Sequence, residues 1–320
     1  MTRIISKVLW ALMYAVSLLP LKFFYILSDI LAFILDNILK YRRLVIDVNL
    51  ARSFPNLRYG DIKKIRRGYY KYMCDIFLES IWAISASERQ IRKIVTIKNV
   101  EVLEQVSLEH KKVIILMGHN GNWELVSAVC GDPKTRADES FANNEMAIAY
   151  KKLENNIFDA LFSKMRMDYY KKFNVPGSVV ESNRIVRHVL GNKDKRGLYF
   201  FIADQSPLPG DRVVARFLNQ PTLFLSGPEY IAKKLDLPVA YLGMNRVKRG
   251  RYEIEITKIT DSAKSLPNKE LIREYAKLLE KGILANKYNW LWSHKRWKRK
   301  LTIEEQREYE ELVSPKEGRE

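Results

Sequence analysis

Residues 113–126 read VIILMGHNGNWELV. Five apolar residues, Val113 to Met117, end at Gly118, and His119 and Glu124 follow, five positions apart. Histidine is the side chain best suited to take a proton near neutral pH. A carboxylate bonded to one ring nitrogen fixes the tautomer and leaves the other nitrogen as a base. On one continuous helix, residues five apart sit roughly 140° from each other, by the 3.6-residue turn. The two side chains therefore meet only if His119 lies on the loop before the helix begins. Gly121 permits an unusual backbone there, and Asn122 is a good helix cap. Glu124 then falls in the first turn, where the helix dipole favours an anion. The pair has two readings: a base with its orienting carboxylate, or two groups that satisfy each other at a strand end.

A protein nucleophile would complete a triad, and none stands out. Cys130 sits in an apolar helical stretch and reads as a core residue, and Ser226 in FLSGPE lacks the G-x-S-x-G elbow. There is no H-E-x-x-H, and His110, His188 and His294 lack ligand-like spacing, so neither a metal nor another cofactor is expected. The two cysteines, Cys74 and Cys130, are far apart and form no C-x-x-C, which argues against a disulfide framework. The hydroxyl that His119 deprotonates would then belong to the substrate.

The surrounding elements follow from hydropathy. From about residue 95, short apolar runs (VIILM, MAIAY, LYFFIA, PVAYLGM, YEIEIT) alternate with helical patterns at 155–166, 181–190, 226–236 and 268–286. Strands separated by helices predict an α/β sheet covered on both faces. Residues 42–92 read as helical, and EEQREYEE near the end reads as a charged, solvated tail. Residues 8–28 carry one charge, Lys22, over about the ~20 residues that cross a bilayer. Residues 23–40 read as an amphipathic helix lying in the interface, with Ser28, Asp29, Asp36, Asn37 and Lys40 on one face. The alternative is a buried hairpin of two core helices, because Pro20 and Lys22 interrupt the span. Lys40, Arg42 and Arg43 then put the following domain in the cytoplasm. The chain divides into a membrane anchor at 1–40, a domain at 41–300 and a tail at 301–320. A net charge of +18 across 320 residues calls for an anionic partner. No nucleic-acid-binding module is recognisable.

HNGNWE resembles the H-x4-D/E motif of the lipid A biosynthesis acyltransferases, the lauroyl/myristoyl transferase family within the lysophospholipid-acyltransferase-like superfamily. YRRLVIDVNLARSFPN at 41–56, AYKKLENNIFDALFSKMR at 149–166, FIADQSPLPG at 201–210, FLNQPTLFLSGPEYIAKKLDLPV at 217–239 and YNWLWSHKRWK at 288–298 are similar to further segments of that family, in order. The resemblance implies a mixed sheet flanked by helices, as in glycerolipid acyltransferases, with an N-terminal membrane-anchoring helix. It implies transfer of an acyl chain from an acyl carrier protein thioester to a hydroxyl of a lipid A precursor, on the cytoplasmic face of the inner membrane. The same chemistry on another glycolipid, aminolipid or phospholipid, or from acyl-CoA, is the alternative. His119 and Glu124 carry over as base and partner. Asn122, Lys151, Arg166 and Asp204 carry over on the substrate side, with a surface ion pair the alternative for Arg166 and a turn-forming or capping role the alternative for Asp204. The backbone amides of Asn120 to Asn122 are candidate oxyanion donors. Two departures stand out. Lys151 replaces the arginine usual after the tyrosine, which loses the bidentate fork, and Asn219-Gln220 replaces the usual glycine before Pro221. The string Trp290, Trp292, His294, Lys295, Arg296, Trp297 reads as an interface helix or as packing. The surplus positive charge suits lipid phosphates, an anionic membrane surface and an acidic carrier protein.

Overall fold

The computed structural model describes residues 2–128, 144–191, 195–207 and 212–314, so Cys130 lies outside the described residues. The apolar runs become strands β2 (Lys112–Met117), β3 (Glu145–Tyr150), β5 (Gly197–Ile202), β8 (Val239–Lys248) and β9 (Arg251–Thr260). Two strands too short or too mixed to stand out, β1 (Val95–Ile97) and β4 (Gly177–Glu181), complete a seven-stranded sheet in the order β1-β9-β8-β2-β5-β3-β4. Neighbours run parallel except for the antiparallel pair of β8 and β9.

Alternate side chains of a strand point to opposite faces, so a strand covered on both sides is apolar throughout. Along β2, Ile114 and Leu116 enter one core while Val113, Ile115 and Met117 enter the other. In β5, Tyr199 and Phe201 oppose Leu198 and Phe200 in the same way. The covering helices include α4 (Tyr59–Trp82), α7 (Asn156–Lys172) and α10 (Glu270–Ala285).

β2 and β5 are parallel neighbours, with Met117 opposite Ile202. After β2 the next strand, β3, lies beyond β5; the later strand β8 lies on the far side of β2. Chain segments that diverge in this way mark the carboxyl ends of the two strands as the place where open α/β sheets bind ligands.

The N-terminus departs from the expected span at 8–28. Helix α1 (Thr2–Ser17) stops before Pro20, and α2 (Leu21–Phe33), extended by a π turn at Ile34–Ile38, leaves at 111° to it. Proline has no N–H and would clash with the preceding turn, so a helix cannot run through it. At 16 residues, α1 is about 24 Å long by the 1.5 Å rise, short of a hydrocarbon core of ~30 Å. Among the described residues no single helix is long and apolar enough to cross a membrane; only the bent pair passes together. The amphipathic pattern of 23–40 is present but points the opposite way to a water-facing stripe. Ser28 donates to Asp75 Oδ1 at 2.5 Å, Asp29 meets Arg249 at 2.9 Å, and Asp36 meets Arg66 at 3.2 Å. Ser28, Asp29 and Asp36 of the polar stripe engage the protein, while Asn37 and Lys40 stay exposed, as do Phe23, Ile26, Ile30 and Phe33.

Two further differences are local. The Asn219-Gln220 departure is accommodated in a hairpin of β6 (Val213–Phe217) and β7 (Gln220–Phe224). Leu218 and Asn219 take φ of 51° and 58°, the left-handed pair a two-residue hairpin requires, and asparagine tolerates it well. The charged tail contains α11 (Ile303–Val313), capped by Thr302 and Glu305 and joined to the domain by Glu308, which pairs with Lys269 and Arg273.

Candidate active site

His119 stands just past β2 and Asp204 just past β5, so adjacent parallel strands deliver them to the same edge of the sheet. Nδ1 of His119 lies 2.5 Å from Asp204 Oδ1. The other carboxylate oxygen accepts the His119 backbone N–H at 2.8 Å and Trp290 Nε1–H at 2.7 Å. Burial alone would raise the Asp204 carboxyl, but the His119 charge, the His119 hydrogen bonds and that of Trp290 outweigh it and hold the pKa down to about 2. An ionised carboxylate can only accept, so Nδ1 carries the ring proton. Nε2 is then left with its lone pair, 3.2 Å from the Gln205 side-chain nitrogen. Trp123 packs edge-on to the imidazole, with centroids 5.1 Å apart. The His119 side chain remains 14% exposed, whereas that of Asp204 is 1% exposed.

The expected bond between His119 and Glu124 is therefore not formed. Glu124 instead takes a bidentate bond from Arg166, Nε to Oε2 at 2.9 Å and Nη2 to Oε1 at 2.7 Å. The reason is geometric. Residues 123–128 form a tight 3-10 turn, and Glu124 sits against α7, where Arg166 supplies a planar fork matched to a carboxylate. Two of the four expected substrate-side residues, Arg166 and Asp204, are each engaged by a member of the H-x4-E motif.

Asn122 and Lys151 also separate. Asn122 is fully buried, and its Nδ2 donates to Glu79 Oε2 at 2.8 Å. Its side chain makes no capping bond; the turn begins with the Leu125 N–H bonding to the Asn122 carbonyl at 2.9 Å. Lys151 is exposed just past β3, on the same edge of the sheet as His119, with β5 between their strands.

The loop 118–122 is fixed by groups distant in sequence. Gly121 takes φ +63°, and a Cβ there would meet Met244 Cγ at 2.4 Å. Tyr72 donates to the Gly121 carbonyl at 2.7 Å, and the Gly121 N–H donates to Asn289 Oδ1 at 3.2 Å. Asn120 Nδ2 reaches the Met244 carbonyl at 3.0 Å. The turn after β5 is held as well, since the Ser206 N–H approaches His294 Nε2 at 3.4 Å. Burial pushes the His294 pKa down to about 4, so its ring is neutral and able to accept.

The string from Trp290 to Trp297 forms turns rather than an interface helix, and Trp290 and Trp292 lie in the core, T-stacked at 4.8 Å. Arg296 is buried there too, donating to the Leu223 carbonyl at 2.6 Å. The string's role is to seat Trp290 against Asp204. Sequence spacing could not have found the Asp204 pairing across 85 positions, although the ADQ turn drew notice as a motif. Asn289, Glu79 and Tyr72 carry no distinguishing signal of their own in the sequence.

With this geometry established, comparison with known families is decisive. The family model described as bacterial lipid A biosynthesis acyltransferase matches residues 2–299. The chain belongs to that family. It is an acyltransferase of lipid A biosynthesis, and its acceptor is a lipid A precursor. No curated protein was found to match the chain. The match takes in α1 and α2 and ends before α11, so the two N-terminal helices belong to the family's common body and the last helix lies beyond it.

Proposed function

We propose that this lipid A acyltransferase moves a fatty acyl chain from an acyl carrier protein thioester to an acceptor hydroxyl, with His119 Nε2 as general base. The observation that carries the reading is the Asp204 bond to Nδ1, which commits the ring proton to that side. The acceptor hydroxyl approaches Nε2 and its proton moves there as its oxygen attacks the thioester carbonyl. The tetrahedral intermediate then collapses, the carbon–sulfur bond breaks, and the leaving thiolate takes the proton from the imidazolium. Asp204 stabilises the imidazolium without itself being protonated. No acyl-enzyme is required. A placed base contributes roughly 10²–10⁴-fold, about 3–5 kcal/mol of barrier.

The enzyme works at the cytoplasmic face of the inner membrane, with α1 and α2 lying in the lipid interface rather than spanning it. Supporting this are the 111° bend and the exposed apolar residues of both helices, Val8, Leu12, Leu18, Ile26, Ile30 and Phe33 among them. Large exposed apolar patches mark interaction surfaces. Exposed Lys40 follows this surface, suited to anionic headgroups, and the +18 charge suits an acidic carrier protein as donor.

His119→Asn tests the base. The amide can keep a donor near Asp204, but its oxygen is far too weakly basic to take the proton of a hydroxyl. Turnover is expected to fall roughly 10²–10⁴-fold with near-normal folding by circular dichroism. Unchanged turnover removes His119 from the chemistry. Comparing acyl carrier protein and acyl-CoA as donors to the same acceptor decides the thioester, and equal kcat/KM for both would overturn the carrier-protein assignment.

A further inference from the structure

We infer that Glu79 is a positioning residue for the His119 loop, and that Tyr25 makes the N-terminal helices part of the same brace. Glu79 lies on α4 and is fully buried. Its Oε2 accepts Asn122 Nδ2 at 2.8 Å and the Tyr252 hydroxyl at 2.7 Å; its Oε1 accepts the Tyr25 hydroxyl at 3.0 Å. Three elements therefore converge on one carboxylate: the site loop, strand β9 and helix α2. Among the described residues, Asn122 makes its only side-chain hydrogen bond to Glu79, and its Oδ1 is buried without a partner. Alongside the holds on Asn120 and Gly121, the Glu79 bond fixes the far end of the loop between Gly118 and Trp123.

Tyr25 is itself held tightly. Arg249 donates to its backbone carbonyl at 3.0 Å and lies 4.5 Å from its ring centroid. Gly250 leaves room for the hydroxyl, which a Cβ there would meet at 2.3 Å. Asp75, one helical turn before Glu79 on α4, takes Ser28 from α2, Arg246 from β8 and Arg249 from the turn between β8 and β9. Helix α1 braces the other half of the site: Trp10 lies under Lys164 at 4.4 Å, on the helix that carries Arg166 and hence Glu124. The two N-terminal helices are built into the scaffold of the catalytic loop, and a membrane seat is only part of what they do. The inference rests on the acyl-transfer reading for its assay alone.

The test uses the full-length protein in detergent micelles, with kcat and donor KM measured for Glu79→Leu, Glu79→Gln, Tyr25→Phe and the Tyr25→Phe/Glu79→Leu pair. Glu79 touches no substrate, so Glu79→Leu is expected to lower kcat at least about tenfold while KM stays within about twofold, as for a small misplacement of a catalytic group. Glutamine can accept from Asn122 and Tyr252 and donate to Tyr25, so Glu79→Gln is expected to restore kcat to within about threefold of wild type. Tyr25→Phe alone is expected to lower kcat by about threefold and to add nothing in the Glu79→Leu background, because residues in one network are not additive. An unchanged kcat in Glu79→Leu, a loss carried by KM, or full additivity with Tyr25→Phe would overturn the inference. If Glu79→Leu does not fold, the same cycle is read with Asn122→Ala in its place. Failure of the base assignment would appear separately, as an active His119→Asn.

Discussion

Asp204→Asn tests the site at the point where three donors meet one carboxylate. Nδ1 of His119 lies at 2.5 Å, the His119 N–H at 2.8 Å and Trp290 Nε1 at 2.7 Å. Asparagine offers one oxygen and one amide nitrogen. If the oxygen keeps Trp290 and the backbone N–H, the NH2 faces Nδ1, and the ring must move its proton to Nε2, where a base needs a lone pair. If the oxygen faces Nδ1 instead, two buried donors meet an NH2 group, at about 1–3 kcal/mol for each unsatisfied group. The first arrangement costs less stability, so the variant is expected to fold and to turn over roughly 10²–10⁴-fold more slowly. Stability should also change its pH dependence. The wild-type carboxyl is held at about 2 instead of 3.8, so its ionisation favours the native state. A depressed acid contributes fully above its unfolded pKa, and the contribution is lost as pH falls from 3.8 toward about 2. Asparagine does not titrate, so the stability gap between wild type and variant should narrow across that window. Single-turnover thioester consumption gives the rate, and urea unfolding in micelles at pH 7 and pH 3 gives the gap. A variant within about threefold of wild-type turnover, a far smaller loss than Asp–His coupling implies, would refute the catalytic argument. A gap that ignores pH would refute the electrostatic one.

Glu124→Ala leaves the Arg166 guanidinium largely buried without its anion and is expected to cost about 3 kcal/mol. Adding Arg166→Met should recover part of that loss, read as urea midpoints. Gly121→Ala puts a Cβ 2.4 Å from Met244 Cγ at φ +63°; it should destabilise by more than about 1 kcal/mol and lower turnover, checked by thermal unfolding and the transfer assay. Removing residues 1–38 takes away Phe24 and Ser28, both fully buried, and Asp36, the partner of Arg66. The remainder is expected to aggregate in detergent, and a monodisperse, folded species on size exclusion would show that the domain stands without the N-terminal helices.

Much of the fold is legible along the chain. The long apolar runs become strands because a strand covered on both faces is apolar throughout, as β2 and β5 are. Strand β9 shows itself by alternation instead, with Tyr252, Ile254 and Ile256 buried and Glu253 and Glu255 between them; no tertiary information is needed to see either pattern. The break at Pro20 is equally local, since the missing N–H ends a helix whatever surrounds it. The glycine-bearing loop after β2, with His119 on it, can be read from an apolar run, a turn and a helical pattern in succession.

Partner choice was not legible. By sequence distance Glu124 was the nearer carboxylate, but the 3-10 turn sends it to Arg166, while the register of two parallel strands sets Asp204 beside the imidazole. The same holds for the direction of an amphipathic face. Periodicity reveals that Ser28 and Asp36 share a side of the N-terminal helix; that this side meets Asp75 and Arg66 instead of water depends on charges placed by α4. A hydrogen bond or ion pair needs its two groups within about 3 Å, and a chain fixes such a distance only between near neighbours. For groups 85 positions apart, as His119 and Asp204 are, the folded sheet alone decides.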